Sequence, residues 1–186
     1  VDLAITTAQN TGVYGFDTLL NVENLTSGTG NDRLRGNALA NTLSSSSGDD
    51  YLDGRGGNDN LNGGEGSDTI FGGAGNDTIT ADGGVAANDF IDGGTGIDTL
   101  DLLFAVSGVT SPAGGVPGVT VDLSITTAQN TGAAGVDTIL NIENIQGSMA
   151  DDRLTGNDLA NLIFGGAGSD VIRGGAGDDQ LNGFTG

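Results

Sequence analysis

Aspartate recurs at the sixth position of a nine-residue unit whose first, second and fourth positions are mostly glycine. The stretch GGEGSDTIFGGAGNDTIT, residues 63–80, contains two such units in succession. Carboxylate and carbonyl oxygens on flexible turns suit Ca²⁺, whereas Mg²⁺ prefers a strict octahedron and retained water. Zinc is disfavoured because the chain has no His and no Cys to bind it. The spacing therefore predicts several calcium sites that repeat along the chain.

Catalytic chemistry has few candidate residues. With no His, Cys or Lys in the sequence, catalytic triads, thiol nucleophiles and Schiff bases are excluded, which leaves only a carboxylate pair of the glycosidase type. The sequence contains no G-x-G-x-x-G nucleotide motif. An EF-hand reading that starts at Asn58 fails, because the twelfth residue is Thr69 instead of Glu. We expect this chain to have no enzymatic activity and its ordered aspartates to be ligands.

The chain contains two copies of one long unit. Residues 1–25, VDLAITTAQNTGVYGFDTLLNVENL, recur as residues 121–145, VDLSITTAQNTGAAGVDTILNIENI, and the match continues without a gap to the end. The sequence predicts a first unit at 1–101, a linker or insertion at 102–120, and a second unit at 121–186 that is truncated at its C-terminal end. We expect the chain to be a fragment of a longer protein.

The nine-residue pattern resembles G-G-x-G-x-D-x-U-x, the calcium-binding nonapeptide of the RTX (hemolysin-type) family. At least six well-formed units follow one another in register within residues 18–101 and 138–186. The resemblance implies an all-β fold, a right-handed parallel β-roll or two-sided β-solenoid, in two tandem units. It also implies several Ca²⁺ ions between consecutive turns on each side.

The resemblance further implies which residues bind the metal, namely the sixth-position aspartates and the carbonyls of turn glycines. The carboxylate ligands are Asp50, Asp59, Asp68, Asp77, Asp98, Asp170 and Asp179, together with Asp32, Asp89 and Asp152, whose turns lack the full glycine set. The carbonyl ligands are those of Gly64, Gly66, Gly73, Gly75, Gly166, Gly168, Gly175 and Gly177. Asn41 and Asn161 replace the aspartate with a neutral oxygen, which predicts weak or absent sites there, and Glu23 and Glu143 depart from the pattern.

The residues themselves predict alternating turns and strands. Glycine at positions one, two and four accepts positive φ, and β-branched residues around an apolar eighth position, as in Thr78–Thr80, favour a short strand. Two units then complete one coil, and the eighth-position side chains form an interior ladder. The ladder comprises Leu25, Leu34, Leu43, Leu52, Leu61, Ile70, Ile79, Ile91, Leu100, Ile145, Leu154, Ile163, Ile172 and Leu181.

Stacking of the coils brings like charges together. Sixth-position aspartates two units apart, such as Asp50 and Asp68 or Asp59 and Asp77, lie above one another in such a coil. Two carboxylates about 4 Å apart repel by about 4 kcal/mol at an effective dielectric constant of about 20. A divalent cation between them reverses the sign of this interaction, so that we expect the fold to require calcium.

Composition restricts the partners. The formal charge is −20, from 25 acidic residues against five arginines, and 36 residues are glycine. This balance disfavours nucleic acid and anionic lipid headgroups, and without calcium it favours disorder. The sequence has no apolar run of about 18 residues, which argues against membrane insertion. A partner on a cell surface or a polysaccharide is left undetermined.

These observations predict a calcium-binding structural module of a secreted bacterial protein. From the resemblance we expect export by type I secretion and folding on Ca²⁺ outside the cell. The expected location is extracellular, either free or associated with the cell surface. Two alternatives stay open. One is an accessory module of a secreted protease, lipase or alginate epimerase, and the other is an adhesin or surface-layer segment that makes direct contacts.

Overall fold

Short strands and glycine turns alternate along the chain. The computed structural model describes residues 1–12, 15–82, 87–103, 105 and 117–184, and these residues form strands without any helix. The strands are β1 (Gln9–Asn10), β2 (Phe16–Asp17), β3 (Asn24–Thr26), β4 (Arg33–Arg35), β5 (Thr42–Ser44), β6 (Tyr51–Gly56), β7 (Asn60–Gly64), β8 (Thr69–Ala74), β9 (Thr78–Asp82), β10 (Phe90–Thr95), β11 (Thr99–Asp101), β12 (Pro117–Asp122), β13 (Gln129–Gly132), β14 (Gly135–Leu140), β15 (Asn144–Gln146), β16 (Asp151–Thr155), β17 (Leu162–Phe164), β18 (Val171–Arg173) and β19 (Gln180–Asn182).

Two large sheets face each other. The nine-stranded sheet has the order β18-β16-β12-β13-β14-β10-β8-β6-β4, and the eight-stranded sheet has the order β19-β17-β15-β11-β9-β7-β5-β3. Successive strands of the chain mostly alternate between the two sheets, which gives a β-solenoid of about eight turns. The predicted all-β parallel β-roll is therefore confirmed. None of the described residues forms a helix long and apolar enough to span a membrane.

The strand register follows the predicted coil of two nonapeptides. Leu52 pairs with Ile70, eighteen residues later, in the nine-stranded sheet. Leu61 pairs with Ile79 in the eight-stranded sheet with the same spacing. The next step, from Ile70 to Ile91, is longer because the chain carries extra residues after Thr80. Of that insertion, residues 83–86 lie outside the described part of the chain.

The interior ladder is confirmed except at the ends of the stack. Most of the predicted eighth-position side chains are buried, with Leu52, Ile70 and Ile79 fully enclosed. Leu25 and Ile172 are only partly buried. The prediction is wrong for Leu181, which is 47% exposed because it lies in the last described turn and no other described turn covers it. Burial of the ladder thus depends on a neighbouring turn on each side.

The two sequence units share both sheets. β10 pairs with β14 in the nine-stranded sheet and β11 pairs with β15 in the eight-stranded sheet. Strands β12, β13 and β14 form an antiparallel meander that lies between β10 and β16. Most of the predicted linker, including residues 106–116, lies outside the described residues. The division at 101 and 121 stays a prediction about the sequence units.

Candidate metal centre

The turns place the sixth-position residues in two rows, one beside each sheet. Within a row, the backbone N–H of each residue donates to the carboxylate of its counterpart in the next turn. Asp50 N lies 2.8 Å from Asp68 Oδ1. In the other row, Asp59 N lies 2.7 Å from Asp77 Oδ1. The predicted stacking is confirmed, although the direct contact runs from backbone amide to carboxylate.

The same contact joins further sixth-position residues. It joins Asp32 to Asp50, Asp68 to Asp89, Asp77 to Asp98, and Asp152 to Asp170, with N···O distances of 2.7, 2.8, 2.8 and 3.0 Å respectively. Neutral members also donate, Asn41 to Asp59 at 2.7 Å and Asn161 to Asp179 at 3.0 Å. In each of these pairs the Oδ1 atom of the acceptor aspartate is therefore occupied by the amide of its counterpart.

The second carboxylate oxygen is the feature that indicates a ligand. This oxygen, Oδ2, is buried and has no hydrogen-bond partner among the described residues in Asp50, Asp59, Asp68, Asp77, Asp98 and Asp170. Burying a charged oxygen without a partner is costly, and folded proteins rarely do it. A hard cation would satisfy these oxygens, so the donor set fits Ca²⁺.

Burial also changes the acidity of these groups. Desolvation raises the pKa of Asp68 to about 7, although the hydrogen bond from the Asp50 amide opposes the shift. It raises the pKa of Asp59 to about 6 and that of Asp98 to about 6. Burial likewise raises the pKa of Asp77. In the ion-free fold, burial therefore favours the protonated form of these aspartates over the charged form.

Glycine at position one has a different role from the one predicted. Among the described residues φ is not positive at position one of the glycine-rich repeats, such as Gly54, Gly63 and Gly72, although it is positive at Gly132 (78°). Most glycines at positions two and four do have positive φ, for example Gly73 at 107° and Gly75 at 132°. A Cβ on Gly72 would collide with the carbonyl oxygen of Gly93 and would lie 2.5 Å from Asp77 Oδ2. Position one thus excludes a side chain because the carboxylate of its own repeat fills that space.

The predicted carbonyl ligands lie on turns of the expected shape. All eight of the predicted glycines have positive φ: Gly64, Gly66, Gly73, Gly75, Gly166, Gly168, Gly175 and Gly177. The carbonyl oxygens of Gly73 and Gly75 lie against Gly94 and Gly96 of the following turn. Carbonyl oxygens are thus available between consecutive turns. Within the described residues no three acidic side chains converge on one point, so a cation here would need such carbonyls.

Asp152 differs from the other members. Its Oδ2 accepts a bond from the Ser148 amide at 2.7 Å. Its Oδ1 accepts from the Val119 amide at 2.8 Å and from Ser148 Oγ at 2.7 Å. Both oxygens are therefore occupied by protein donors. Asp32 and Asp179 differ in another way, since both are only partly buried near the ends of the rows.

Two row members were not among the predicted ligands. Asp137 Oδ1 accepts from the Asp89 amide at 2.9 Å, and burial raises the pKa of Asp137. Glu143 Oε2 accepts from the Asp98 amide at 2.9 Å. The signal for Asp137 was present in the sequence, because Gly132 and Gly135 stand at positions one and four of its nonapeptide. The second unit therefore continues both rows.

We expect acid to stabilise the calcium-free fold. An aspartate with an ordinary pKa of 3.8 in the unfolded chain has a pKa of about 7 at Asp68 in the fold. The folded state consequently binds more protons between about pH 7 and about pH 4, and folding becomes more favourable as pH falls through that window. Far-ultraviolet circular dichroism in chelator should show more β-structure at about pH 5 than at about pH 8. A β-signal that declined on acidification would contradict the assigned burial.

Comparison with known families agrees with this geometry. The family model described as RTX calcium-binding nonapeptide repeat matches four copies, at residues 26–61, 53–85, 62–100 and 155–183, which together cover more than half of the chain. No curated protein matches the sequence.

Proposed function

The chain belongs to the RTX calcium-binding nonapeptide repeat family, and from this premise we propose that it is a non-catalytic structural module that folds when Ca²⁺ binds after export by type I secretion. Its repeats make it a Ca²⁺-binding module of a kind typical of secreted bacterial proteins. In the proposed order of events, the chain is exported first, then binds calcium, and folds as a result.

One observation carries the proposal. Six buried Oδ2 atoms, those of Asp50, Asp59, Asp68, Asp77, Asp98 and Asp170, have no hydrogen-bond partner within the described residues. We assign these oxygens, with the turn carbonyls, as the calcium ligands, and Asp89 as a further member of the same row. Bound Ca²⁺ supplies positive charge that offsets the repulsion and desolvation of the rows. Asp152 has less support as a ligand because protein donors occupy both of its oxygens.

The charge of the chain supports folding outside the cell. The formal charge is −20, and self-repulsion of this size opposes a compact state. Extracellular calcium modules bind with dissociation constants of about 0.1–1 mM, and metal affinity of this kind is also folding free energy. A chain with such affinity stays empty and unfolded in the cytosol and folds in a calcium-rich exterior.

The adhesin alternative has one observation in its favour. The rings of Tyr51, Phe71 and Phe90 follow one another across the nine-stranded sheet, with centroids 5.7 and 5.5 Å apart. The Arg33 guanidinium lies 4.0 Å from the centroid of the Tyr51 ring. These rings are partly exposed and lie beside an arginine, so this surface is aromatic and basic whereas the chain as a whole is acidic. In this alternative the aromatic row would form the contact with a cell-surface partner.

Calcium titration tests the proposed function. The chain in chelator should be largely unstructured near neutral pH, and millimolar Ca²⁺ should produce β-structure cooperatively, because each repeat is stabilised by its neighbours. Circular dichroism would follow the transition, with Mg²⁺ at equal concentration as the control, and Mg²⁺ should be a poor substitute. A spectrum that chelator leaves unchanged would contradict the proposal.

A further inference from the structure

The repeated VDLxITTAQN segment borders a cleft on the outer face of the nine-stranded sheet. In the second copy, residues 121–130 lie beside strands β16 and β18 and border a space of about 430 Å³, which we call the arginine cleft. Small-molecule sites in proteins span about 300–1,000 Å³, so the size of the cleft is that of such a site. Its lining includes Asp122, Ile125, Asn130, Arg153, Thr155 and Arg173.

The strand register places two arginines over the same point of the sheet. Leu154 of β16 is fully buried, so its neighbours Arg153 and Thr155 face away from the core. Thr155 pairs with Asp122 on one side and with Arg173 on the other. Arg153 and Arg173 are thus diagonal neighbours on adjacent strands, with Cα atoms about 8 Å apart at a strand spacing of about 4.8 Å. Both guanidinium groups can therefore reach one ligand that lies over Thr155.

These two arginines lack the ion pairs that other arginines of the chain form. The side chain of Arg35 lies 3.5 Å from an aspartate oxygen, and that of Arg55 lies 2.6 Å from another. Among the described residues, neither Arg153 nor Arg173 has a carboxylate oxygen within 4.0 Å, and both residues are exposed. The chain has 25 acidic residues and leaves these two adjacent cations without a partner. A bound anion would neutralise them through charge-assisted hydrogen bonds.

The other groups of the cleft narrow the ligand to a hydroxylated carboxylate. A guanidinium binds a carboxylate through two parallel N–H···O bonds. Asp122 lies in the same cleft, and its charge disfavours a ligand with several negative charges, such as a phosphate polymer. Asp122, Thr155 and the Asn130 amide can instead exchange hydrogen bonds with hydroxyl groups. Ile125, which is 37% exposed, offers an apolar contact to a ring. A sugar acid combines one carboxylate, several hydroxyl groups and a ring.

The first copy of the segment lines an equivalent cleft. Residues 1–10 and 121–130 differ only at Ala4 and Ser124. The equivalent cleft is lined by the counterparts Asp2, Ile5, Asn10 and Arg33, and by a second arginine, Arg35. Residues 4–8 and 124–128 are exposed in both copies, so packing in the core does not account for their near-identity. Exposed loops ordinarily vary more than the elements they connect, and agreement between two such loops therefore favours a binding role.

We propose that the arginine cleft binds a sugar acid, either free or as a residue of a polysaccharide. Arg153 and Arg173 hold its carboxylate. Thr155 and Asn130 form hydrogen bonds with its hydroxyl groups, and Ile125 packs against its ring. None of these residues belongs to a carboxylate row, so the site goes beyond the proposed function and rests on it only in that calcium first folds the chain.

Titration with two acidic probes tests the site and distinguishes the two sources. Glucuronate and a hyaluronan hexasaccharide, which contains glucuronate residues, would be added to isotope-labelled chain that circular dichroism shows to be folded in Ca²⁺. Nuclear magnetic resonance should show shifts in the amides of residues 122–130 and in the Nε–H groups of Arg153 and Arg173. Tighter binding of the hexasaccharide would assign the polysaccharide, and equal binding per glucuronate residue would assign the free sugar acid.

Three control probes each lack part of the ligand. Glucose lacks the carboxylate, acetate lacks the ring and hydroxyl groups, and poly-glutamate is an acidic peptide. Each should bind at least about tenfold more weakly than the better acidic sugar, since hydrogen bonds to charged groups contribute about 1.5–3 kcal/mol. Folded chain whose arginine signals stay unmoved by both acidic sugars would overturn the proposal, as would equal binding of acetate or poly-glutamate.

Substitutions in the cleft measure the role of each side chain. Arg153→Gln and Arg173→Gln should each weaken binding of the better acidic sugar at least about tenfold. Arg173→Lys should have a smaller effect, because it keeps the charge but loses the bidentate pairing. Ile125→Ala should also weaken binding. Its matched control is Ile97→Ala, because Ile97 is 56% exposed and lies outside the cleft. Native affinity in both glutamine variants, with circular dichroism showing folded chains, would overturn the proposal.

Discussion

Asp68→Asn is expected to raise the calcium midpoint of folding at least tenfold, about 1.4 kcal/mol. Asn keeps an oxygen that accepts from the Asp50 amide, a bond of 2.8 Å in the native chain. It removes the charge and the buried Oδ2, which we assign as a ligand. In chelator at about pH 8 the same substitution should instead stabilise the fold. The reason is that burial raises the pKa of Asp68 to about 7, so the charged form of Asp68 destabilises the ion-free fold.

Glu65→Gln is the matched control for this experiment. Glu65 lies in the same turn, is exposed, and contributes the same charge without belonging to a row. Its substitution should leave the calcium midpoint nearly unchanged, or lower it slightly by relieving repulsion. Both variants would be titrated with Ca²⁺ while circular dichroism follows folding. Equal shifts for the two would show that aspartate acts through bulk charge, and the row model would have to be abandoned.

The second large effect is expected for Gly72→Ala, which should destabilise the calcium-bound fold by about 1–3 kcal/mol or more. Its φ is not positive, so the backbone itself tolerates alanine. The added Cβ would collide with the Gly93 carbonyl and lie 2.5 Å from Asp77 Oδ2. The free-energy cost of this overpacking should exceed the gain in stability of about 0.4–1 kcal/mol that a Gly→Ala substitution gives by restricting the unfolded state. Urea unfolding in saturating calcium measures the difference.

Gly28→Ala separates this clash from a general effect of glycine. Gly28 also lacks positive φ, and a Cβ there would meet nothing within 4 Å. Its substitution should be neutral or slightly stabilising. If Gly72→Ala were equally harmless, the carboxylate would not occupy the position that we describe, and the requirement for glycine at position one would need another cause.

The sequence predicted the repeating interior of the fold well. Period, register and burial at Leu52, Ile70 and Ile79 all follow from apolar residues that recur every nine positions between turn glycines. Each turn meets nearly identical neighbours, so local pattern and tertiary contact agree there. The prediction failed at Leu181, where the local pattern is intact but no further described turn covers the side chain.

Other features depend on contacts that the pattern does not encode. Positive φ was predicted at position one on propensity alone, whereas Gly72 is required by the approach of Asp77 and Gly93. The two bonds from Ser148 to Asp152 occupy a carboxylate that matches the motif. Asp137 was missed because alanine replaces one of the glycines in its turn. Each of these differences arises from a contact with a specific side chain or a specific neighbouring turn.

Anomalous diffraction from crystals grown in calcium tests the central claim most directly. We predict calcium peaks between consecutive turns, within bonding distance of the Oδ2 atoms of Asp50, Asp59, Asp68, Asp77 and Asp98 and of turn carbonyls. Peaks confined to exposed carboxylates such as Asp49 and Glu65, with the buried Oδ2 atoms left free of metal in a folded chain, would contradict the account.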